Sequence, residues 1–278
     1  MRRVDLAADG TAAGDTTPTG FPSIDKWLGG GVRSGDLVVL GGDVGSGKSA
    51  LALAMAVRIA EAGQQARFFT TEMTVDRVME RAVAIEGRVR VDDLRSGSLD
   101  EIARAGVGAA ALRIRDAKPI VEVAPPTAEG VVNRLHSMMR DEKFDVAFVD
   151  SLQGLVGATS LPLEEEQANV VRVLKQAALD LNVSIVLLAQ LRQKKRSDKS
   201  DQRPTLADYG AKDAVRHHAD VVTAIFREEM YHPGGGTEGG TEFLFLKNRN
   251  GTTGYIDLYF YKQWLRFEDM LDPDRQET

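Results

Sequence analysis

Eight consecutive residues, Gly42-Asp43-Val44-Gly45-Ser46-Gly47-Lys48-Ser49, carry the strongest chemical signal in the chain. They fit G-x-x-x-x-G-K-[ST], a phosphate-binding loop of the Walker A type. Glycines let the backbone curl until successive N–H groups point inward at phosphate oxygens. The helix that follows, with Ala50 in its first turn, adds partial positive charge at its N-terminus. Lys48 supplies a point charge for the β- and γ-phosphates, and the Ser49 hydroxyl supplies a ligand for Mg²⁺. The chemistry expected is binding of ATP with its magnesium.

Three further residues could complete a hydrolytic site. Phe144-Asp145-Val146-Ala147-Phe148-Val149-Asp150 is an apolar run ending in a carboxylate, the Walker B form, which makes Asp150 a second metal-side residue. The run ARFFTTE delivers Glu72 at a strand end, where it could orient water toward the γ-phosphate. An ordinary surface glutamate at a helix start is the competing account of Glu72. VSIVLLAQ ends in Gln190, whose amide could hydrogen-bond the γ-phosphate and register its loss; a polar strand end is the alternative.

These residues work together only if the fold brings strand ends to one rim. Short apolar runs predict strands at 36–40, 66–71, 112–115, 145–150, 183–190, 221–227, 242–248 and 255–261. Amphipathic stretches predict helices at 49–62, 75–86, 128–141, 164–181 and 207–217. Continuously apolar strands (VVL, VAFV, SIVLLA) imply burial on both faces. Strands alternating with helices argue for an α/β fold with a mainly parallel central sheet flanked by helices. Asn250-Gly251, between the last two strands, predicts an antiparallel C-terminal hairpin. Residues 1–20, rich in Ala, Gly, Thr and Asp, read as a flexible arm preceding one motor-sized domain over 21–278.

Composition narrows the function classes. With 278 residues, 43% hydrophobic and 27% charged, the chain has the makeup of a globular protein and not of a disordered or fibrous one. Cysteine is absent, which removes disulfides, thiolate nucleophiles and cysteine-ligated metals. The four histidines, His136, His217, His218 and His232, show no metal-binding spacing. No apolar run approaches the ~20 residues of a membrane span, and MRRVDLAADG lacks the apolar segment of a signal peptide, so a cytoplasmic location without membrane contact is expected. Lys and Arg total 35 against 41 Asp and Glu, a net charge of −6, so contact with nucleic acid requires a local basic patch. Residues 192–203 (RQKKRSDKSDQR) provide one, with six basic and two acidic side chains.

The ordered set of motifs resembles the DnaB-like family of hexameric replicative helicases, in its RecA-like P-loop NTPase motor domain. The resemblance spans roughly 18–265 and rests on TGFPSIDKWLGGGVRSGDLVVLGG before the phosphate loop, TTEM at 70–73, VDSLQ at 149–153 and AQLRQ at 189–193. It continues through RPTLADYGAKDAVRHHADVV at 203–222, FREEMY at 226–231 and LKNRNGTTG at 246–254. It implies that Glu72 is the catalytic glutamate, Asp150 the Walker B aspartate and Gln190 the nucleotide sensor. Lys247 and Arg249 match paired basic residues that reach the γ-phosphate held by a neighbouring subunit. Residues i and i+2 of a strand share a face, so the two could enter one site together; two solvated edge cations are the alternative. Arg227 matches a position near the nucleotide base, where a guanidinium can stack. Residues 1–20 are too short to supply the helical collar that the family's replicative members carry before the motor.

The same resemblance implies a homo-oligomer in the family's hexameric ring form, with single-stranded DNA threaded through it and a helicase loader or replication initiator as protein partner. Arg192, Lys194, Lys195, Arg196, Lys199 and Arg203 are the expected strand contacts, directly after Gln190; a merely solvated charged loop is the competing account. The segment GLVGATSLPL after Asp150 is a second candidate loop. The expected function is an ATP-dependent translocase or helicase on single-stranded DNA in chromosomal, plasmid or phage replication. The alternative is a RadA- or KaiC-like ATPase that mediates recombination or switches assembly without unwinding.

Overall fold

A computed structural model describes residues 14–157, 160–192, 201–232, 234 and 237–270. The chain opens with β1 (Thr16–Thr17), α1 (Pro22–Leu28), β2 (Val32–Arg33) and β3 (Leu37–Gly42). Next come α2 (Lys48–Glu61), β4 (Ala66–Thr70), α3 (Val75–Gly87), α4 (Val91–Ser96), α5 (Glu101–Ala117) and β5 (Ile120–Val123). The central part continues with α6 (Ala128–Asp141), β6 (Val146–Asp150), α7 (Leu163–Leu181) and β7 (Ser184–Gln190). It ends with α8 (Ala214–His218), β8 (Val221–Phe226), β9 (Gly240–Asn248), β10 (Gly254–Tyr261) and β11 (Arg266–Asp269).

Nine strands form one sheet in the order β11-β10-β9-β8-β3-β7-β6-β4-β5. The six from β8 to β5 run parallel, and β9, β10 and β11 continue the sheet antiparallel. The central parallel strands are mostly apolar because helices cover both faces. Val38 and Leu40 of β3 face a core shared with Leu51, Met55 and Ile59 of α2. Leu37 and Val39 face the opposite core, with Val131 and Leu135 of α6 and Val171 and Leu174 of α7. The chain leaves β3 for β4 and returns later to place β7 and β8 on either side of it, so a crevice opens at the carboxyl ends of the central strands. This is the α/β architecture expected, with the hairpin turn at Asn250-Gly251.

Of the arm expected at 1–20, residues 1–13 lie outside the described residues. Thr16–Thr17 pair antiparallel with Val32–Arg33, and Thr17 and Thr19 are buried.

Two expected elements differ. The strand expected at 112–115 is the last turn of α5. Leu112-Arg113-Ile114-Arg115 alternates with period two, but the helix is started upstream by Asp100, whose carboxylate accepts from Ala103 N (2.7 Å). The helical period buries Ala110 and Ile114, four apart, and leaves Leu112 exposed. The helix expected at 207–217 is broken. Thr205 and Asp208 form a capping box that closes one 3₁₀ turn, Leu206–Tyr209. Gly210, at φ +64°, then turns the chain beneath the Arg192 guanidinium, where an added Cβ would lie 2.5 Å from Arg192 Nε. A second 3₁₀ turn, Ala211–Asp213, and the short α8 follow.

Candidate nucleotide site

The phosphate loop leaves the end of β3 and feeds α2, as the sequence required. Gly47 lies at φ +102°, a conformation that side-chain-bearing residues avoid, and a Cβ there would come within 2.7 Å of the Phe267 ring. Lys48 Nζ folds back to donate to Gly42 O (2.8 Å) and Asp43 O (2.9 Å). Burial lowers its pKa against the opposing pull of Asp150, Asp43 and Glu72, so the loop already holds a desolvated cation among carboxylates. Ser46 Oγ is buried with no hydrogen-bond partner.

Strand pairing brings the carboxylates together. Thr70 of β4 pairs with Asp150 of β6, and Thr71 N donates to Asp150 O (2.7 Å). Glu72 therefore sits two residues beyond Thr70, exposed on the rim, with Ser151 Oγ donating to its Oε1 at 3.5 Å. Asp150 is buried, which raises its pKa; the Ser49 hydroxyl hydrogen-bonds to it and opposes that rise. Gln190, exposed at the end of β7, pairs with Gly42. One rim thus gathers Lys48, Ser49, Glu72, Asp150 and Gln190.

This arrangement fits a magnesium-bound nucleoside triphosphate. A cradle with left-handed glycines, an unpartnered buried hydroxyl and a lysine whose protons go to main-chain carbonyls offers the donors that phosphate oxygens need. Ser49 and Asp150 offer hard oxygen ligands suited to Mg²⁺. Among the described residues no group of three His, Cys, Asp or Glu is placed to hold a metal.

An open cleft of about 510 Å³ runs from the loop past Ala50 to Arg227, Phe260, Lys262 and Leu265. Arg227 is buried in its wall, 4.4 Å over the Phe260 ring, ion-paired with Glu229 and donating to Gly45 O (3.2 Å). Asp43 accepts a hydrogen bond from Tyr231 Oη. Val44, at the crest of the loop, is 61% exposed.

Two residues of the site escaped the sequence reading. Arg81, on α3, lines the cleft beside Lys48 and Ser49, and its charge opposes the rise in the Asp150 pKa. Nothing in the local pattern separates it from Arg77, the other arginine of α3. Gln153 grips the end of β7: its Nε2 donates to Gln190 O (3.1 Å) and its Oε1 accepts from Gln190 N (3.0 Å). The clamp ties the loop after β6 to the loop after β7. Gln153→Ala removes both bonds, about 1.4 kcal/mol if each contributes near the lower end of its usual range. ATP turnover is expected to fall roughly tenfold while nucleotide affinity stays within about twofold; wild-type turnover in a steady-state assay would show the clamp to be inert.

Lys247 and Arg249 lie at the other end of the sheet. β9 runs antiparallel to β8, with Phe243 opposite Ile225 and Lys247 opposite Val222, while Ile225 in turn pairs with Gly42 and Val222 with Val39. Lys247 is thus roughly 10 Å farther down the sheet than the phosphate loop, and Arg249 farther still. Neither belongs to the rim of its own chain.

Of the expected strand contacts, Lys194, Lys195, Arg196 and Lys199 lie outside the described residues. The other two are engaged within the chain. Arg192 is ion-paired with Glu164 in the first turn of α7. Arg203 Nε donates to Glu242 Oε2 (2.6 Å), with its guanidinium 5.3 Å over the Phe226 ring. No helix of the described residues is long and apolar enough to cross a membrane.

A family model of the DnaB-like helicase C-terminal domain matches residues 16–269. The replicative DNA helicase DnaB of Treponema pallidum is 32% identical over 257 residues, which cover 90% of this chain and 55% of that protein. A probable plasmid replicative DNA helicase of Chlamydia muridarum is 28% identical over 268 residues, covering 96% and 57%. The chain spans a little over half the length of the curated relatives it matches. Among solved structures, an ATPase domain superposes with a TM-score of 0.86 at 20% identity, covering 97% of this chain and 96% of that one. A DnaB-like replicative helicase described with its interactions with primase gives 0.87 at 20% identity, covering 97% and 65%. At that identity the two likenesses establish the shared fold.

Proposed function

The chain belongs to the DnaB-like helicase C-terminal domain family, and on that footing we propose that it is an ATP-hydrolysing motor that moves single-stranded DNA through a ring of its own copies. The observation that carries this reading is the division of the hydrolytic set between two ends of one sheet. Lys48, Ser49, Glu72, Asp150 and Gln190 gather at the carboxyl rim, whereas Lys247 and Arg249 sit at the far end of β9. The rim and the half-exposed arginine at the far end of β9 come together when a second copy docks, and a ring repeats that junction without an open end.

In that junction Lys48 and the loop amides bind the β- and γ-phosphates, and Ser49 and Asp150 hold the magnesium. The bound metal would neutralise charge that develops on the phosphates during transfer. Glu72, exposed and adjacent to Asp150, accepts a proton from the attacking water and aims it. Arg249 and Lys247 of the next copy stabilise transition-state charge, which makes turnover depend on assembly. Gln190 reports the γ-phosphate to the loop that follows it. Arg227 walls the cleft where a base would stack. The strand is held by Lys194, Lys195, Arg196 and Lys199, the cations of that loop other than the paired Arg192 and Arg203, and a replication initiator or loader brings the ring to it.

The test is ATP turnover with and without single-stranded DNA, together with strand displacement on a forked duplex. Stimulation and displacement are expected; assembly with ATP but no displacement would favour the recombination-mediator or switch reading. Neutralising Lys194, Lys195 and Arg196 together is expected to weaken strand binding and to flatten the slope of log affinity against log salt by about 2, as loss of three single-strand phosphate contacts requires. An unchanged salt slope would move the strand contact elsewhere.

A further inference from the structure

Arg249 is not a free finger. Its Nη1 donates to Asp220 Oδ1 at 2.7 Å, its Nη2 donates to His217 O at 3.3 Å, and its own amide donates to Asp220 O at 3.1 Å. Asp220 precedes β8 and its side chain is only 6% exposed, while that of Arg249 is 53% exposed. The carboxylate is itself fixed from the other side. Its Oδ2 accepts from Leu37 N (2.8 Å), at the start of β3, and from Lys175 Nζ (2.6 Å) on α7; that ammonium also donates to Gly35 O (2.8 Å). Lys247 is held in parallel: its Nζ donates to Arg216 O (2.8 Å) and Ala219 O (2.5 Å), the carbonyls at the end of α8. The turn between β9 and β10 is anchored too, through Asn250 Nδ2 to Asp36 Oδ2 (2.6 Å).

A buried ion pair is weak evidence for stability, because desolvation cancels much of its attraction. The geometry here suggests another use. An arginine on a hairpin loses rotamer freedom each time it enters a neighbour's site. A carboxylate anchored by two independent donors removes that freedom beforehand, and it leaves half of the guanidinium uncovered. We propose that Asp220, held by Lys175 and the Leu37 amide, is a positioning residue that presents Arg249 in the orientation needed by the adjoining subunit's nucleotide. This rests on the reading of Arg249 as a cation that acts in trans. Asp220 belongs to the subunit that lends the arginine, not to the one that binds the nucleotide.

That assignment gives the test its discrimination. Asp220→Asn keeps an acceptor for the Leu37 amide but loses the charge that orients Arg249. Purified rings are expected to bind ATP with unchanged KM and to turn over roughly tenfold to a hundredfold more slowly, the usual cost of a misplaced group. Asp220→Glu, which keeps the charge, is expected to regain part of the rate. When Asp220→Asn, slow alone, is mixed with Glu72→Gln, inactive alone, hybrid junctions unite an intact glutamate with a correctly held arginine, and turnover is expected to rise above the sum of the two proteins measured separately. Damage to the variant's own phosphate loop would not be rescued in that mixture. Should Asp220→Asn fail to form rings, Lys175→Met with Asp220→Asn removes the stranded ammonium and carries the same mixing experiment. Wild-type turnover by folded rings, or no rescue where Arg249→Ala is rescued, overturns the positioning role. Wild-type turnover by Arg249→Ala overturns instead the trans reading beneath it.

Discussion

Lys48→Ala is expected to abolish ATP turnover while leaving the fold intact. The lysine's bonds to Gly42 O and Asp43 O are both backed by main-chain donors, because Leu191 N also reaches Gly42 O (3.2 Å) and Ser46 N also reaches Asp43 O (3.1 Å). The loop therefore keeps its shape when the side chain goes. The lost group is also one whose pKa burial lowers against the pull of Asp150, Asp43 and Glu72, so its removal relieves a desolvation cost that offsets the lost attraction. The balance reverses once phosphate is present. A charge-assisted bond is then missing in the ground state, and a preorganised cation is missing where charge develops, a loss of about 10²–10³ in rate for one such donor. Two measurements separate the effects. The melting temperature without nucleotide should move by no more than a few degrees, and the rise in melting temperature on adding ATP, which tracks affinity, should disappear. Turnover at the wild-type rate would end the assignment of 42–49 as the phosphate site.

How far the sequence reveals this depends on the range of the forces involved. β3, β6 and β7 are legible because strands buried on both faces read as near-continuous apolar runs, as Val38, Val39, Phe148 and Leu187 do. The phosphate loop is legible because its glycines answer a local backbone demand, seen at Gly47. Leu112 to Arg115 deceives because a four-residue alternation carries less weight than a helix already nucleated at Asp100. β11 goes unseen for the opposite reason. It is four residues long, and only Phe267 is apolar; Arg266 and Glu268 satisfy themselves on Glu86 of α3 and Arg58 of α2. Functional side chains divide in the same way. Lys48 and Ser49 follow from spacing and Glu72 from its place past a strand end, which the Thr70–Asp150 pairing brings to the rim, whereas Gln153 gains meaning only from its grip on Gln190, and Asp220 only from Leu37, 183 residues away. The cations at 192 and 203 show the converse. Their charge is plain in the sequence, but Glu164 and Glu242 already pair with it, so a charge count overstates what that loop offers a nucleic acid.

Arg249→Ala tests whether the two ends of the sheet meet between copies. The variant is expected to bind ATP normally, because the arginine lies roughly 10 Å or more from its own phosphate loop along the strands. It should hydrolyse ATP about 10³-fold more slowly, the lower end of the range for a cation supplied to the transition state by a partner. Its folding should suffer little, since Asp220 retains Lys175 and the Leu37 amide. Glu72→Gln gives the complementary defect: nucleotide bound, arginine in place, no base for water. Mixed in equal amounts and allowed to exchange subunits, the two inactive proteins should recover activity. In a random ring about one junction in four pairs the intact glutamate of an Arg249→Ala subunit with the intact arginine of a Glu72→Gln neighbour, so recovery approaching a quarter of the wild-type rate is the ceiling if junctions fire independently. The proportion carries the argument. Recovery must vary with the mixing ratio and peak near equality, because each productive junction needs one subunit of each kind. A chain completing its own site with its own arginine would leave both variants inactive at every ratio, even after native mass measurement had shown the rings to be mixed.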